Sequence, residues 1–316
     1  MLDLQSKEFY QVEWDDAIER DLHELIGRML EEDLAGEGDC TSLALIPGDA
    51  PGRAAVVMRQ PGVLAGLKAA GLVFSEVDPT LKWQMLVEDG ATVQAGQVVG
   101  RVEGPAQKLL TAERPALNLL GRLSGIATLT RSYVEAVAGT KARIYDTRKT
   151  TPGLRRLEKY AVRCGGGRNH RQGLFEAILV KDNHLALGAQ ADAGRPRFTP
   201  SEAVREARRY FAHTRSSQAV EASIVEVEVD TLEQLEGLLP AGPDIVLLDN
   251  MGPELLRQAV ALRDAVTPSV QLEASGGVNL DTVRAIAESG VDRISVGALT
   301  HSAVVLDVAL DWENLL

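Results

Sequence analysis

The sequence predicts an α/β protein in two parts, an α+β N-terminal half followed by a parallel sheet made of alternating strands and helices. Three observations lead there. Apolar residues recur at helical spacing near the N-terminus, short β-type stretches follow as far as Val102, and a strand-then-helix rhythm sets in after Thr140.

Trp14, Ala17, Ile18, Leu22, Leu25, Ile26, Met29 and Leu30 fall on one helical face, so an amphipathic helix is expected over 14–32, covering a sheet. Strands are expected at Arg53–Met58, Val63–Ala65, Leu81–Val87 and Val98–Val102, with a helix at Lys68–Val77 among them. The stretch VEDGATVQAGQVVGRVEG resembles the turns of a biotinyl or lipoyl carrier domain, but no lysine stands at a hairpin tip to be modified. Gly90, Gly96 and Gly100 are therefore expected in tight turns between strands. A helix is expected over Ala106–Val137, with Pro115 marking an early turn or a kink because proline cannot donate to the helix ladder.

After residue 140 the strand candidates are Arg143–Asp146, Ile178–Lys181, Ile224–Val229, Ile245–Asp249, Gln271–Ala274 and Arg293–Val296. Helices at Pro200–Tyr210, Leu232–Leu239, Pro253–Val266 and Leu280–Ser289 fit between them, and repeated crossovers imply a parallel sheet, closed into a barrel or doubly wound. The polar Ala186–Ala222 region, with its Ala-Arg-Glu helix, is expected to be a surface connection. Functional side chains in such sheets lie at the carboxyl ends of strands, and Asp146, Lys181, Glu228, Asp249 and Ser275 end these ones.

Composition narrows the function. The chain has 316 residues, 45% apolar, without an apolar run of membrane length, and its first residues lack the pattern of a secretory leader; a cytoplasmic protein without a membrane partner is expected. Cys40 and Cys164 are far apart in sequence and are read as reduced thiols. A net charge of −12 argues against nucleic acid as partner. Yet Lys141–Lys181 holds eleven lysines and arginines against three acids, interleaved with glycines and β-type residues, a pattern suited to a concave anion site.

Within that stretch Arg148, Lys149, His170, Arg171 and Lys181 surround the triplet Gly165–Gly167, which could let backbone amides approach a ligand. Arginine pairs with a carboxylate through two hydrogen bonds and lysine supplies a compact charge, so a small polyanion is the natural occupant. Glu228 and Asp249 cap apolar strands, where carboxylates can hold Mg²⁺, accept ribose hydroxyls or stabilise a cationic transition state. Ser275, Gly276 and Gly277, then Gly297, follow consecutive strands and could cradle a phosphate.

The ordered blocks EDLAGEGDCTS, GPAQKLLTAERPALNLLGRLSGIATLT, DTRKTTPGLR, GGGRNHRQGL, LVKDNH, VEVEVDTLEQL, LLDNM and EASGGV resemble the quinolinate phosphoribosyltransferase family from Glu32 onward. The resemblance implies an N-terminal open sandwich domain at 1–126, an incomplete α/β barrel at 127–302, and a tail at 303–316 that packs on the first domain. It also implies a homodimer or larger assembly whose active site borrows Arg114 from the neighbouring subunit. Carried over residue by residue, Arg148, His170, Arg171 and Lys181 would hold the carboxylates of quinolinate, with Lys149 near the pyrophosphate of phosphoribosyl pyrophosphate and Thr147 among the substrate-binding residues. Glu228 and Asp249 would meet the ribose and Mg²⁺, the cofactor implied. Ser275, Gly276, Gly277 and Gly297 would hold the 5-phosphate, with His301 nearby. A transferase for nicotinate or nicotinamide, and a phosphate-sensing protein without catalysis, remain alternatives on the same fold.

Overall fold

The structure is a computed structural model that describes residues 7–188 and 198–313. Its first elements are α1 (Asp16–Leu34), α2 (Cys40–Leu45), β1 (Pro51–Met58), β2 (Gly62–Val63), α3 (Leu67–Val77), β3 (Lys82–Met85), β4 (Thr92–Val93), β5 (Val98–Pro105) and α4 (Ala106–Ala136). Then come β6 (Arg143–Tyr145), α5 (Arg155–Cys164), β7 (Ile178–Val180), α6 (Asp182–Gly188), α7 (Pro200–Thr214), α8 (Ser217–Ala222), β8 (Val225–Val229) and α9 (Leu232–Leu238). The series closes with β9 (Ile245–Asp249), α10 (Pro253–Val266), β10 (Gln271–Ser275), α11 (Val283–Ala287), β11 (Arg293–Ser295), α12 (Ala298–His301) and β12 (Val308–Trp312).

These elements form two compact units, each discontinuous in sequence. One comprises Val12–Arg131, Thr150–Gly167 and the described residues from Leu299 on; the other comprises the described residues up to Gln11, with Ser132–Lys149 and Arg168–Ala298.

The first unit carries an antiparallel sheet in the order β12-β1-β5-β3 and a small β2-β4 pair. Asp15 starts α1 by accepting from the Ala17 and Ile18 amides, and the helix ends at Ala35 in a left-handed conformation. Ile18, Leu22 and Ile26 recur every fourth residue and are fully buried, each worth about 1.5–3 kcal/mol of apolar burial. The strand β12 runs along β1, with Leu310 opposite Val56. Gly100 departs from the sequence expectation: it lies inside β5, where an added Cβ would fall 2.2 Å from the Trp83 ring, so its smallness makes room for an indole. Pro115 lies within a helix assigned without interruption from Ala106 to Ala136, between buried Ala112 and Ala116.

The second unit holds a six-stranded sheet in the order β6-β11-β10-β9-β8-β7, every pair parallel. Its central strands are buried along almost their whole length, Ile245–Leu248 completely, as expected where helices cover a parallel sheet. Because the strands are parallel, all their carboxyl ends lie on one edge. One expectation needs correcting. The helix α7 is not a surface connection: Ala203, Val204, Ala207 and Phe211 form a buried face, and it packs against β7, β8 and α9. Thr199 and Glu202 start it with a reciprocal capping box. Residues 189–197 of the Ala186–Ala222 region lie outside the described residues. Among the described residues no helix is long and apolar enough to cross a membrane.

Candidate active site

The carboxyl edge of the parallel sheet gathers most of the residues singled out from the sequence. Thr147, Arg148 and Lys149 follow β6, and the Thr147 hydroxyl accepts from the Lys149 amide at 3.1 Å, turning the loop. Lys181 follows β7, Glu228 lies near the end of β8, Asp249 ends β9, Ser275 ends β10 and Gly297 comes just after β11. His170 and Arg171 join the same unit through a parallel bridge between Tyr145 and Arg168. Arg114 and His301 are both exposed and belong to the other unit.

Charges on this edge are arranged in pairs and clusters. Lys181 Nζ donates to Glu228 Oε2, an ion pair between neighbouring strands β7 and β8. Arg171 is buried, and its guanidinium donates to the Ala177 carbonyl at 3.1 Å. Burial lowers its pKa, Glu226 opposes that change, and the nearby Arg148 charge reinforces it. Arg148 itself keeps a buried Nε without a hydrogen-bond partner. Two guanidiniums that disfavour each other are best relieved by an anion placed between them.

The phosphate-type turn is also formed. Gly276 and Gly277 take φ values of +91° and +61°, and an added Cβ on Gly276 would meet Asn250 Oδ1 at 2.1 Å. Asn250, at φ 54°, donates through its amide to the Ser275 carbonyl at 2.9 Å and through Nδ2 to Asp249 at 2.7 Å. The Asp249 carboxylate is thus tied to the glycine turn on the next strand.

Other parts of the basic stretch do not join this edge. Arg156 pairs with Asp21, Arg163 donates to the Gly167 carbonyl, Arg168 pairs with Glu8, and Lys141 pairs with Asp292. Its acid Glu158 is fully buried, paired with Arg122 at 2.7 Å and accepting from the Thr151 amide. The glycine triplet also plays a packing role: a Cβ on Gly165 would lie 2.4 Å from the Ala127 carbonyl, and one on Gly167 would lie 2.7 Å from Thr130 and Val162. These glycines let the end of α5 approach α4, which sequence spacing alone does not distinguish from approach to a ligand.

Beneath the edge lies a buried polar cluster that the sequence reading passed over. Glu226, Glu273 and Arg293 are almost completely buried on β8, β10 and β11, and His170 reaches them with Nε2 3.1 Å from Glu226 and 3.5 Å from Glu273. Glu8 pairs with Arg293 at 3.2 Å and with Arg168 at 3.1 Å and accepts from the Tyr145 hydroxyl at 2.7 Å. Burial, then the charge of Glu226, pushes Glu273 up to about 7. Burial works against Glu226 too, yet the charge of His170, its contact with the carboxylate, and then the Arg293 and Arg171 guanidiniums hold the carboxyl below the usual range. The signal was present in the two-residue period: in VEVEV, Glu226 shares a sheet face with Glu228, and in QLEAS, Glu273 shares one with Ser275.

Two kinds of metal ligand exist among the described residues. His170, Glu226 and Glu273 bring ligand atoms within 4.8 Å of one another, fully inside the protein. Glu228 and Asp249 are half-buried strand-end carboxylates, the hard oxygen donors that Mg²⁺ prefers when it also binds substrate phosphates.

Comparison with known proteins agrees with this architecture. Residues 39–124 match the N-terminal domain of quinolinate phosphoribosyl transferase, and residues 126–311 match its C-terminal domain. A Mycobacterium leprae protein named nicotinate-nucleotide pyrophosphorylase [carboxylating] is 47% identical over 289 residues, covering 90% of this chain and 95% of that protein. A Bacillus subtilis protein named as a probable enzyme of the same kind is 39% identical, covering 92% of this chain and 93% of its own length. The solved nicotinate-nucleotide pyrophosphorylase from Francisella tularensis superposes with a TM-score of 0.82 at 36% identity, over 93% of this chain and 96% of that one.

Proposed function

The chain belongs to the quinolinate phosphoribosyltransferase family, and from that premise we infer that it joins quinolinate to phosphoribosyl pyrophosphate. The products are nicotinate mononucleotide, pyrophosphate and carbon dioxide, a step of NAD biosynthesis. What supports the reading within the molecule is one observation: a single sheet edge carries Arg148, Lys149, Arg171 and Lys181 together with Glu228 and Asp249. One carboxylate would not need so many cations, whereas a diacid beside a phosphorylated sugar does.

In this reading Arg148, His170, Arg171 and Lys181 hold the two carboxylates of quinolinate, which sets the pyridine nitrogen at attack distance from the anomeric carbon. Lys149 and Thr147 face the pyrophosphate. Glu228 and Asp249 would hold Mg²⁺, which when bound neutralises charge on the departing pyrophosphate. As the bond to pyrophosphate breaks, positive charge grows on the ribose, and the same two carboxylates stabilise it from fixed positions. The Ser275–Gly277 turn and Gly297 anchor the 5-phosphate through backbone amides. Once the ring nitrogen is bonded to the sugar, its positive charge stabilises the electron pair left at carbon 2 as carbon dioxide departs; that carbon then takes a proton. The reading includes a homodimer or larger assembly in the cytoplasm, with the exposed Arg114 of α4 offered to the site of a second copy.

Incubation with phosphoribosyl pyrophosphate, Mg²⁺ and either quinolinate or nicotinate tests this directly. Nicotinate mononucleotide should form from quinolinate. Product from nicotinate alone would replace the assignment with a related transferase, and no pyrophosphate from either would favour a non-catalytic phosphate sensor.

A further inference from the structure

The loop at 168–176 carries His170 and Arg171, and its backbone hydrogen bonds show what holds it in place. Arg168 still belongs to the sheet: its amide donates to the Ile144 carbonyl at 2.8 Å, and its carbonyl accepts the Asp146 amide at 3.0 Å. The ladder to β6 ends there. Asn169 is fully buried, so its peptide groups need partners inside the protein. Both find them on one side chain. The Asn169 amide donates to Gln11 Oε1 at 2.9 Å, while Gln11 Nε2 donates to the Asn169 carbonyl at 3.1 Å and to the Phe9 carbonyl at 2.9 Å. A carboxamide that uses both ends in this way stands in for a strand neighbour. Beside it, Asp146 accepts the His170 amide at 2.8 Å and Asn169 Nδ2 at 2.6 Å.

Gln11 can act as a clamp only if its own segment is fixed, and residues 7–11 are tied to the amino ends of the parallel strands. Lys7 pairs with Asp244 at 3.0 Å and donates to the Ser223 carbonyl at 2.9 Å, and Arg293 donates to the Lys7 carbonyl at 2.9 Å. Phe9 is buried with Ala177, Ile224 and Ile245, which stand at or just before the starts of β7, β8 and β9. The far end of the loop meets the same segment. Tyr10 donates its amide to Glu176 Oε1 at 2.7 Å, and Glu176 Oε2 accepts the Gln172 amide at 2.6 Å. Since β6 and β7 are the two edge strands of the sheet, the residues that join the flanks of this loop come from the segment at 7–11.

Resting on the assignment of His170 and Arg171 to the diacid, we propose that Gln11 is a positioning residue for quinolinate: it clamps the Asn169 peptide so that the two side chains that follow arrive at the substrate correctly placed. The residues assigned to phosphoribosyl pyrophosphate, Lys149, Asp249 and Ser275, lie outside this loop, after β6 and at the ends of β9 and β10. The effect of the clamp therefore falls on one substrate.

Gln11→Met tests this in the full-length enzyme, because methionine matches the length of glutamine and lacks its amide. The quinolinate KM should rise roughly three- to thirtyfold, less than the hundredfold that an ångström of misplacement can cost, with kcat and the KM for phosphoribosyl pyrophosphate nearly unchanged. Amide hydrogen exchange followed by NMR gives a second reading. In the wild type the Asn169 amide should be protected, and in Gln11→Met it should exchange at least about tenfold faster while the amides of β9 keep their rates. A quinolinate KM within twofold of wild type would overturn the proposal, as would equal rises in both KM values, which mark general loosening. An unprotected Asn169 amide in the wild type, or one whose exchange ignores the substitution, would overturn it as well. Absence of turnover by the wild type would reject the transferase reading instead, and the exchange rates would still decide whether Gln11 holds the loop.

Discussion

At the scale of single residues, this site is built from charges whose surroundings decide what they can do. Arg171 is buried, lies near Arg148 and has its backbone pinned, so truncating it removes a preorganised anion contact. Arg171→Ala should cost roughly 2–5 kcal/mol in quinolinate kcat/KM, the range for cutting one partner of a buried charge pair; steady-state assays with quinolinate varied check it, and a change within twofold would contradict the assignment. Glu273 makes a separate prediction about pH. Its carboxyl is raised from 4.5 to about 7 by burial and by Glu226, with the charges of His170 and Arg293 and a Ser295 hydrogen bond opposing. The folded state then holds a proton that the unfolded chain releases at lower pH. This contribution to stability is fully present below 4.5 and is lost as pH rises through about 7. Glu273→Gln should flatten that part of the stability profile in thermal melts between pH 5 and 8; an equally steep profile would assign the proton elsewhere.

Elements show which features could be read from sequence and which could not. Central strands such as Ile245–Asp249 were legible because fully buried parallel strands are apolar runs, and the same pattern put Asp249 at a strand end. Glu226 and Glu273 were missed because a strand-end rule attends to the last polar residue and ignores the one two positions earlier on the same face. The contribution of residues 7–11 was not legible at all: Glu8 and Phe9 work through contacts with Arg168, Arg293 and His170, more than 150 residues away in sequence, and no local period signals them. The helix α7 was legible as a helix, but its arginines and glutamates drew attention from the apolar face at Ala203, Val204, Ala207 and Phe211. If that face seals the sheet, Phe211→Ala should destabilise the protein by about 3–5 kcal/mol in denaturant unfolding. A loss within a few tenths of a kcal/mol would return α7 to the status of a surface connection.

At the scale of the whole molecule, the proposal joins two claims, an assembly and a reaction. Arg114 is exposed and lies in a different unit from the cations of the sheet edge. If it serves a second copy, mixing Arg114→Ala subunits with Lys149→Ala subunits should regenerate some activity, because one site in each mixed dimer is intact; no recovery despite demonstrated subunit exchange would confine each site to one chain. The reaction itself is tested most directly with quinolinate carrying labelled carbon in the carboxylate next to the ring nitrogen. Labelled carbon dioxide should appear only when phosphoribosyl pyrophosphate is present, in equal amount to pyrophosphate. Pyrophosphate released without labelled carbon dioxide, or neither released, would contradict the decarboxylating transfer.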